Sequence, residues 1–169
     1  DMPGVSADVL DLRSLLPWDQ EAVRQTVQNT GRVLVLHEDT LTGGVGAEIA
    51  AKAWQNLHSQ SDFTFALLGD ADHVLACCER AGLKVPLHSV ASIDEVKTFF
   101  STALPVLHQP LPAAVTLGKF SPATAPWVTD CIVEAVDLCL SSAASGLVTN
   151  PIQKEALYAA GFKHQGHTD

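Results

Sequence analysis

The chain is poor in charged residues, in aromatic residues and in long apolar runs. Only 17% of its 169 residues are charged and 6% are aromatic, whereas 47% are hydrophobic. No apolar run reaches roughly 18 residues, the length that a membrane-spanning helix needs. The first ten residues lack the basic start and apolar stretch of a signal peptide, so we expect a soluble, cytoplasmic protein. The initiator methionine is also missing, which predicts that the chain begins inside a longer one.

Basic residues are scarce as well. The chain has 10 Lys and Arg against 19 Asp and Glu, which gives a net charge of −9 at pH 7. This balance argues against nucleic acid or an anionic membrane surface as a partner, because both demand clustered basic side chains. It is compatible with a small phosphorylated substrate, because a few local donors can bind one within an acidic protein.

The residues that commonly bind metals show no spacing typical of a metal site. The seven histidines form no HExxH pair, and we assign none of them as a metal ligand. The cysteines form no CxxC pair, so we expect reduced, buried thiols. They are Cys77, Cys78, Cys131 and Cys139.

Apolar periodicity predicts strands that alternate with helices along the whole chain. This order is typical of an α/β fold with a mostly parallel sheet and helices on both faces. A capping box is predicted where Ser92 precedes Glu95 by three residues. The predicted strands lie at residues 5–12, 32–37, 62–69, 83–87 and 143–149, with an extended segment at 106–115. The predicted helices lie at residues 20–29, 47–57, 70–81, 92–100, 121–141 and 153–160.

Ligands of parallel sheets bind at the carboxyl ends of the strands, and two loops stand out there. The loop Thr42-Gly-Gly-Val-Gly46 precedes a helix whose N-terminus would favour an anion, although a plain turn explains the same glycines. The second loop, Thr149-Asn-Pro151, is followed by Lys154, which is either an anion ligand or an exposed helical lysine.

Two further groups of polar residues have both a functional and a structural interpretation. His164 and His167 lie in a polar tail, which is either a binding loop or a solvated end. Asp130, Glu134 and Asp137 are spaced to share one side of a long helix. For these three, a solvated acidic face is favoured over a catalytic pair.

The C-terminal part carries a distinctive series of motifs. It reads Leu147-Val-Thr-Asn-Pro-Ile-Gln-Lys154, then Ala160-Gly161, then Gly166-His-Thr-Asp169. With Ala66-Leu-Leu-Gly-Asp70, this series closely resembles the 4-hydroxythreonine-4-phosphate dehydrogenase family of pyridoxal phosphate synthesis, over about residues 46–169.

The resemblance implies a dehydrogenase that uses NAD and a divalent metal to oxidise 4-phosphohydroxy-L-threonine, which is then decarboxylated. By position, it implies that His167, Thr168 and Lys154 bind this phosphorylated substrate; no catalytic residue is assigned. Asp169 replaces a glutamate of the family. The metal-binding histidines and main NAD-binding segments of the family lie downstream of Gly166-His-Thr168, so we expect an incomplete domain that is inactive alone. The resemblance also implies a homodimer for the full-length protein.

The first third resembles a different family. The segments Val9-Leu-Asp-Leu-Arg-Ser-Leu-Leu-Pro-Trp-Asp19 and Thr42-Gly-Gly-Val-Gly-Ala-Glu-Ile-Ala-Ala51 are similar to the beta subunit of thiamine-dependent 2-oxoacid dehydrogenases. The similar part is the transketolase-like C-terminal domain of that subunit, over about residues 5–51. That domain serves subunit assembly, which makes an interaction piece of a pyruvate or branched-chain dehydrogenase the alternative function.

The two resemblances meet at a shared stretch, Val45-Gly-Ala-Glu-Ile49. We therefore predict a chimera of residues 1–45, transketolase C-terminal-like, and residues 46–169, the N-terminal part of the dehydrogenase. The join arose naturally or in sequence assembly, and a chimeric product without selected function is the third reading. A further hypothesis is that the strand carrying Val33 and Val35 lies in the same sheet as Phe63–Leu68.

Overall fold

The computed structural model describes residues 8–11, 19, 21–22, 25–26, 29, 32–36, 45–60, 64–115, 122–149, 158 and 161. Within these ranges the chain forms strands β1 (Asp8–Asp11), β2 (Arg32–Leu36), β3 (Thr64–Gly69), β4 (Leu87–Val90), β5 (Leu104–His108) and β6 (Gly146–Thr149). The helices are α1 (Val45–Leu57), α2 (Ala71–Arg80), α3 (Val96–Phe99) and α4 (Ala125–Leu140). No helix among the described residues is long and apolar enough to cross a bilayer.

The described strands form one parallel sheet in the order β1-β6-β2-β3-β5-β4. Strand β2 pairs with β3, with Val33 opposite Phe65 and Val35 opposite Leu67, so the hypothesis that these strands share a sheet is confirmed. Strand β6 lies between β1 and β2 and pairs with both. The most C-terminal of these strands is therefore inserted between the two most N-terminal ones.

Side chains of the central strands alternate between two apolar cores. Phe65 and Leu67 pack with α1 and α2, whereas Ala66 and Leu68 pack with α3 and α4. Because successive side chains of a strand point to opposite faces, the two cores lie on opposite faces of the sheet. Burial on both sides explains why β3 is an uninterrupted apolar run. The prediction of an α/β fold with helices on both faces is confirmed.

Helix α1 approaches the sheet closely through small residues. Ala47, Ala50 and Ala51 have no exposed surface. Further along the same helix, Trp54 is buried, and its indole Nε1–H donates to the carbonyl oxygen of Phe100 at 2.7 Å. This hydrogen bond satisfies the polar end of a large buried side chain and links α1 to the end of α3.

Helix ends follow local sequence signals. Asp19 Oδ1 accepts from the backbone N–H of Ala22 at 2.9 Å, the bond that an N-cap of the helix predicted at residues 20–29 would make. Gly82 ends α2 with a φ of 69°, which is the left-handed conformation that glycine adopts readily. The N–H of Gly82 donates to Glu79 and that of Leu83 to Cys78, which satisfies two terminal carbonyls of the helix.

Two local predictions were wrong in detail. The strand expected at residues 83–87 lies instead at Leu87–Val90, because Leu83 is engaged in the cap of α2 and Pro86 has no N–H to donate to a ladder. The capping box at Ser92 is replaced by a short 3-10 turn, Ile93–Glu95. The Ser92 hydroxyl accepts from Asp94 N–H at 3.2 Å rather than from Glu95.

Candidate functional site

The carboxyl ends of the described strands meet at one edge of the sheet, because every strand pair is parallel. At the end of β6, Thr149 lies level with Asp11 of β1 and Leu36 of β2, and it is 1% exposed. Strand β6 therefore ends in the interior of the sheet, between two neighbouring strands. Such a position is where open α/β sheets bind ligands.

The best-defined polar group at this edge is the carboxylate of Asp70, which follows β3. Its Oδ1 accepts from the N–H of His73 at 2.9 Å, and its Oδ2 accepts from the N–H of Leu111 at 2.9 Å. Asp70 therefore caps α2, as predicted, and also joins α2 to the segment that follows β5. Burial pushes the pKa of Asp70 up, but the hydrogen bonds from Leu111 and His73 and the nearby His108 outweigh burial and hold the pKa below its usual range.

The end of β5 is held by contacts with its neighbours. His108 Nδ1 accepts from the N–H of Ala71 at 3.1 Å, which joins the end of β5 to the first residue of α2. Gln109 N–H donates to the carbonyl oxygen of Gly69 at 2.9 Å, and the Gln109 side-chain amide donates to Glu134 of α4. Helices on both faces of the sheet are thus tied to the same strand end.

Sequence reasoning identified Asp70 as a cap but missed its bond to Leu111 and the roles of His108 and Gln109. The available signals were Asp70 and the pair His108-Gln109, polar residues that each follow an apolar run. Periodicity alone does not show that these two strand ends are neighbours, because β3 and β5 are separated by β4 in the chain.

Replacement of Asp70 by Ala is expected to destabilise the fold. At pH 7 the variant should lose about 1–3 kcal/mol of unfolding free energy, because one helix cap disappears and the partly buried N–H of Leu111 loses its acceptor. Because the pKa of Asp70 is lowered in the folded state, this contribution is fully present above the unfolded-state pKa and is lost as the pH falls through the folded-state pKa. Urea unfolding at pH 7 and at lower pH measures both effects.

Asp72 provides the matched control, since it is exposed in the first turn of the same helix. Its replacement by Ala should cost no more than about 1 kcal/mol, because only an interaction with the helix dipole is lost. Equal losses for the two variants, or a loss at Asp70 that does not change with pH, would contradict the capping role.

The residues predicted to bind substrate, Lys154, His167 and Thr168, lie outside the described residues, as do His164 and Asp169. Residues 42–44 of the glycine loop also lie outside them, whereas α1 begins at Val45. The first turn of α1 carries Glu48, whose carboxylate pairs with Lys52 at 2.5 Å.

The cysteines are buried free thiols, in agreement with expectation. Burial raises the pKa of Cys78 to about 11, with a smaller contribution from Cys77 beside it, and burial also raises the pKa of Cys139. The thiols of Cys78 and Cys139 are therefore protonated near neutral pH and are poor nucleophiles. His73 Nε2 lies 3.7 Å from the sulfur of Cys77.

The described residues do not provide a metal site. Within them, no three side chains of His, Cys, Asp or Glu lie together in a way that could hold a metal ion. The polar side chains at the ends of β3 and β5, Asp70 and His108, instead accept hydrogen bonds from backbone N–H groups. This part of the chain therefore does not fit the divalent metal that the resemblance implies.

Comparison with known proteins identifies two families along the chain. Residues 2–73 match the transketolase C-terminal domain, and residues 61–169 match the family described as pyridoxal phosphate biosynthetic protein PdxA. The chain is 54% identical to the 2-oxoisovalerate dehydrogenase subunit beta 2 of Arabidopsis thaliana over 48 residues. These residues make up 28% of this chain and 13% of that subunit. Both resemblances seen in the sequence are confirmed.

The longer matches are to 4-hydroxythreonine-4-phosphate dehydrogenases. The relative from Caulobacter vibrioides is 45% identical over 126 residues, which is 75% of this chain and 36% of the relative. The chain thus spans about a third of the length of such relatives. The crystal structure of the Burkholderia phymatum protein of that name has a TM-score of 0.70 at 24% identity, covering 82% of this chain and 41% of that one, which shows a shared fold.

The parallel sheet, the motifs around Thr149 and the match over residues 61–169 therefore agree, and the chain belongs to the PdxA family of pyridoxal phosphate biosynthetic proteins.

Proposed function

We propose that this chain is a fragment of an NAD-dependent dehydrogenase that oxidises and decarboxylates 4-phosphohydroxy-L-threonine in pyridoxal 5'-phosphate biosynthesis, and that it is inactive alone. The observation that carries the proposal is the 45% identity over 126 residues to a 4-hydroxythreonine-4-phosphate dehydrogenase of which the chain spans only 36%. The buried end of β6 at Thr149 supports it, since the proposed binding segment follows directly.

The proposal assigns substrate contacts but no chemical step. The ammonium group of Lys154 would attract the substrate phosphate electrostatically. His167 and Thr168 would donate hydrogen bonds to polar groups of the substrate. When bound, a divalent metal would polarise the reacting oxygens and NAD would accept the hydride. The described residues offer no ligand set for the metal, so the proposal places the metal outside them. It places the main NAD contacts downstream of Gly166-His-Thr168, where the resemblance implies them.

The segment boundary, the homodimer and the cytoplasmic location remain predictions. Under the proposal, residues 1–45 come from the transketolase-like family and residues 46–169 from the dehydrogenase. A substrate site completed by a second subunit would make dimer formation a condition for turnover. No nucleic acid or membrane partner is expected.

The proposal is tested by assaying NAD reduction with 4-phosphohydroxy-L-threonine and a divalent metal, with the full-length Caulobacter vibrioides relative as the positive control. We expect turnover from the relative and none from the 169-residue chain. Robust turnover by the chain would overturn the claim that it is inactive alone.

Substrate binding is tested separately by calorimetry. The chain should bind 4-phosphohydroxy-L-threonine, and His167→Ala or Lys154→Ala should each weaken binding by about tenfold or more, the loss expected for one charge-assisted hydrogen bond. Lys52→Ala is the matched control, because Lys52 is paired with Glu48 on the exposed side of α1. Absence of binding, or equal weakening by the control, would contradict the assigned substrate contacts.

A second candidate is an assembly piece of a 2-oxoacid dehydrogenase beta subunit. The 54% identity over 48 residues favours it, as does the transketolase C-terminal match over residues 2–73. A pull-down with the alpha subunit of the Arabidopsis thaliana complex would test this candidate. Sequencing of the genomic locus across residues 40–55 would show whether the two segments are joined naturally.

A further inference from the structure

Helix α4 is apolar on its outer side as well as on its inner side. Its inner side is buried against the sheet through Val128, Cys131 and Ala135. On the outer side Val133 is 53% exposed, Val136 is 39% exposed and Leu140 is 44% exposed. Spacings of three and four residues place these three on one side of the helix. A surface helix ordinarily turns a polar face to water, so an outer apolar stripe indicates a contact surface.

An acidic strip runs beside this apolar stripe. Asp130, Glu134 and Asp137 are spaced by four and three residues, and they line a shallow, open depression of about 470 Å³ together with Val133, Leu138 and Ser141. Asp130 and Asp137 are exposed, and Glu134 is held by the side-chain amide of Gln109. We call the apolar stripe and the acidic strip together the outer face of α4; over 16 residues it is about 24 Å long.

The charge of this face argues against a second copy of the chain as its occupant. A second copy packed about a two-fold axis would bring one acidic strip close to another, in a chain whose net charge is −9. Like charges brought together across an interface are repulsive. A basic partner would satisfy the carboxylates and cover the apolar stripe at the same time.

We propose that the outer face of α4 is a docking surface for an amphipathic helix whose apolar stripe is bordered by Lys and Arg. The partner's apolar residues cover Val133, Val136 and Leu140, and its basic residues lie along Asp130 and Asp137. This is the helix-in-groove form of recognition, with anchors repeated every three to four residues. The proposal does not depend on the dehydrogenase activity.

A fluorescent 18-residue helical peptide of Leu and Lys, with the leucines on one side, is a suitable probe for anisotropy titration with the whole chain. We expect saturable binding. Val133→Lys and Leu140→Lys should each weaken it by at least about tenfold, equivalent to about 1.4 kcal/mol. Leu75→Lys is the matched control: Leu75 is 43% exposed on α2, which packs on the other face of the sheet, and the change in charge is the same.

The carboxylates are tested by salt dependence. Asp130→Asn with Asp137→Asn should reduce the decrease in affinity that added NaCl causes, because fewer ion pairs are screened. Thermal unfolding of each variant should show that it is folded, because the substituted positions are exposed. Equal weakening by Leu75→Lys would show non-specific attraction to an acidic protein. If sedimentation shows a dimer that Val133→Lys dissociates, the face is occupied by a second copy. Either of these two results would overturn the proposal.

Discussion

Removal of residues 1–44 is expected to abolish cooperative folding of the remaining chain. The deletion removes β1 and β2, which are the two strands that pair with β6. Strand β6 would then be left without neighbours, although its backbone is buried, and β3 would lose the partner on one side. Each buried peptide group left without a hydrogen bond costs about 1–3 kcal/mol. Several such losses exceed the roughly 5–15 kcal/mol by which domains are usually stable.

The measurement is near-UV circular dichroism with thermal unfolding of the truncated chain. Deletion of residues 1–6 is the control, since it precedes β1 and leaves all described strands in the chain. A second variant, Leu34→Pro, removes one N–H from a strand that is paired on both sides, with Leu147 and with Ala66, and should also be strongly destabilising. A sharp unfolding transition in the chain without residues 1–44 would show that residues 45–169 fold independently.

The insertion of β6 explains why this part of the fold could not be predicted from sequence. Apolar runs and apolar–polar alternation indicated strands at the positions of β1, β2, β3 and β6, and the prediction that β2 and β3 share a sheet was correct. Periodicity carries no information about which distant strand is a neighbour. The pairing of β6 with β1 and β2 joins residues more than one hundred positions apart, and it depends on the closure of the whole sheet.

The candidate site shows the same division between local and distant information. The capping of α2 by Asp70 was predictable, because an acidic residue directly before a helix is a local signal. The second bond of that carboxylate, to Leu111, spans 41 positions and follows from the packing of β5 against β3. The resemblance, rather than any spacing of residues, led to His167, Thr168 and Lys154 as substrate contacts, and these remain predictions.

Adjacent leucines of β3 allow a direct test that both faces of the sheet are covered. Leu67 and Leu68 each have 0% exposed surface, but Leu67 packs in the core with α1 and α2, and Leu68 packs in the core with α4. Replacement of either by Ala should lower the unfolding free energy by about 2–5 kcal/mol, because a buried cavity is created in each case. Urea unfolding of the two single variants measures the loss on each face.

The control is Leu75→Ala, which removes the same atoms from a side chain that is 43% exposed on α2 and should therefore cost much less. If only one face were covered, one of the two β3 variants would be nearly as stable as this control. If both cores are formed, Leu67→Ala and Leu68→Ala should have similar losses. Their double variant should lose nearly the sum, provided that the two cores relax independently on opposite sides of the strand.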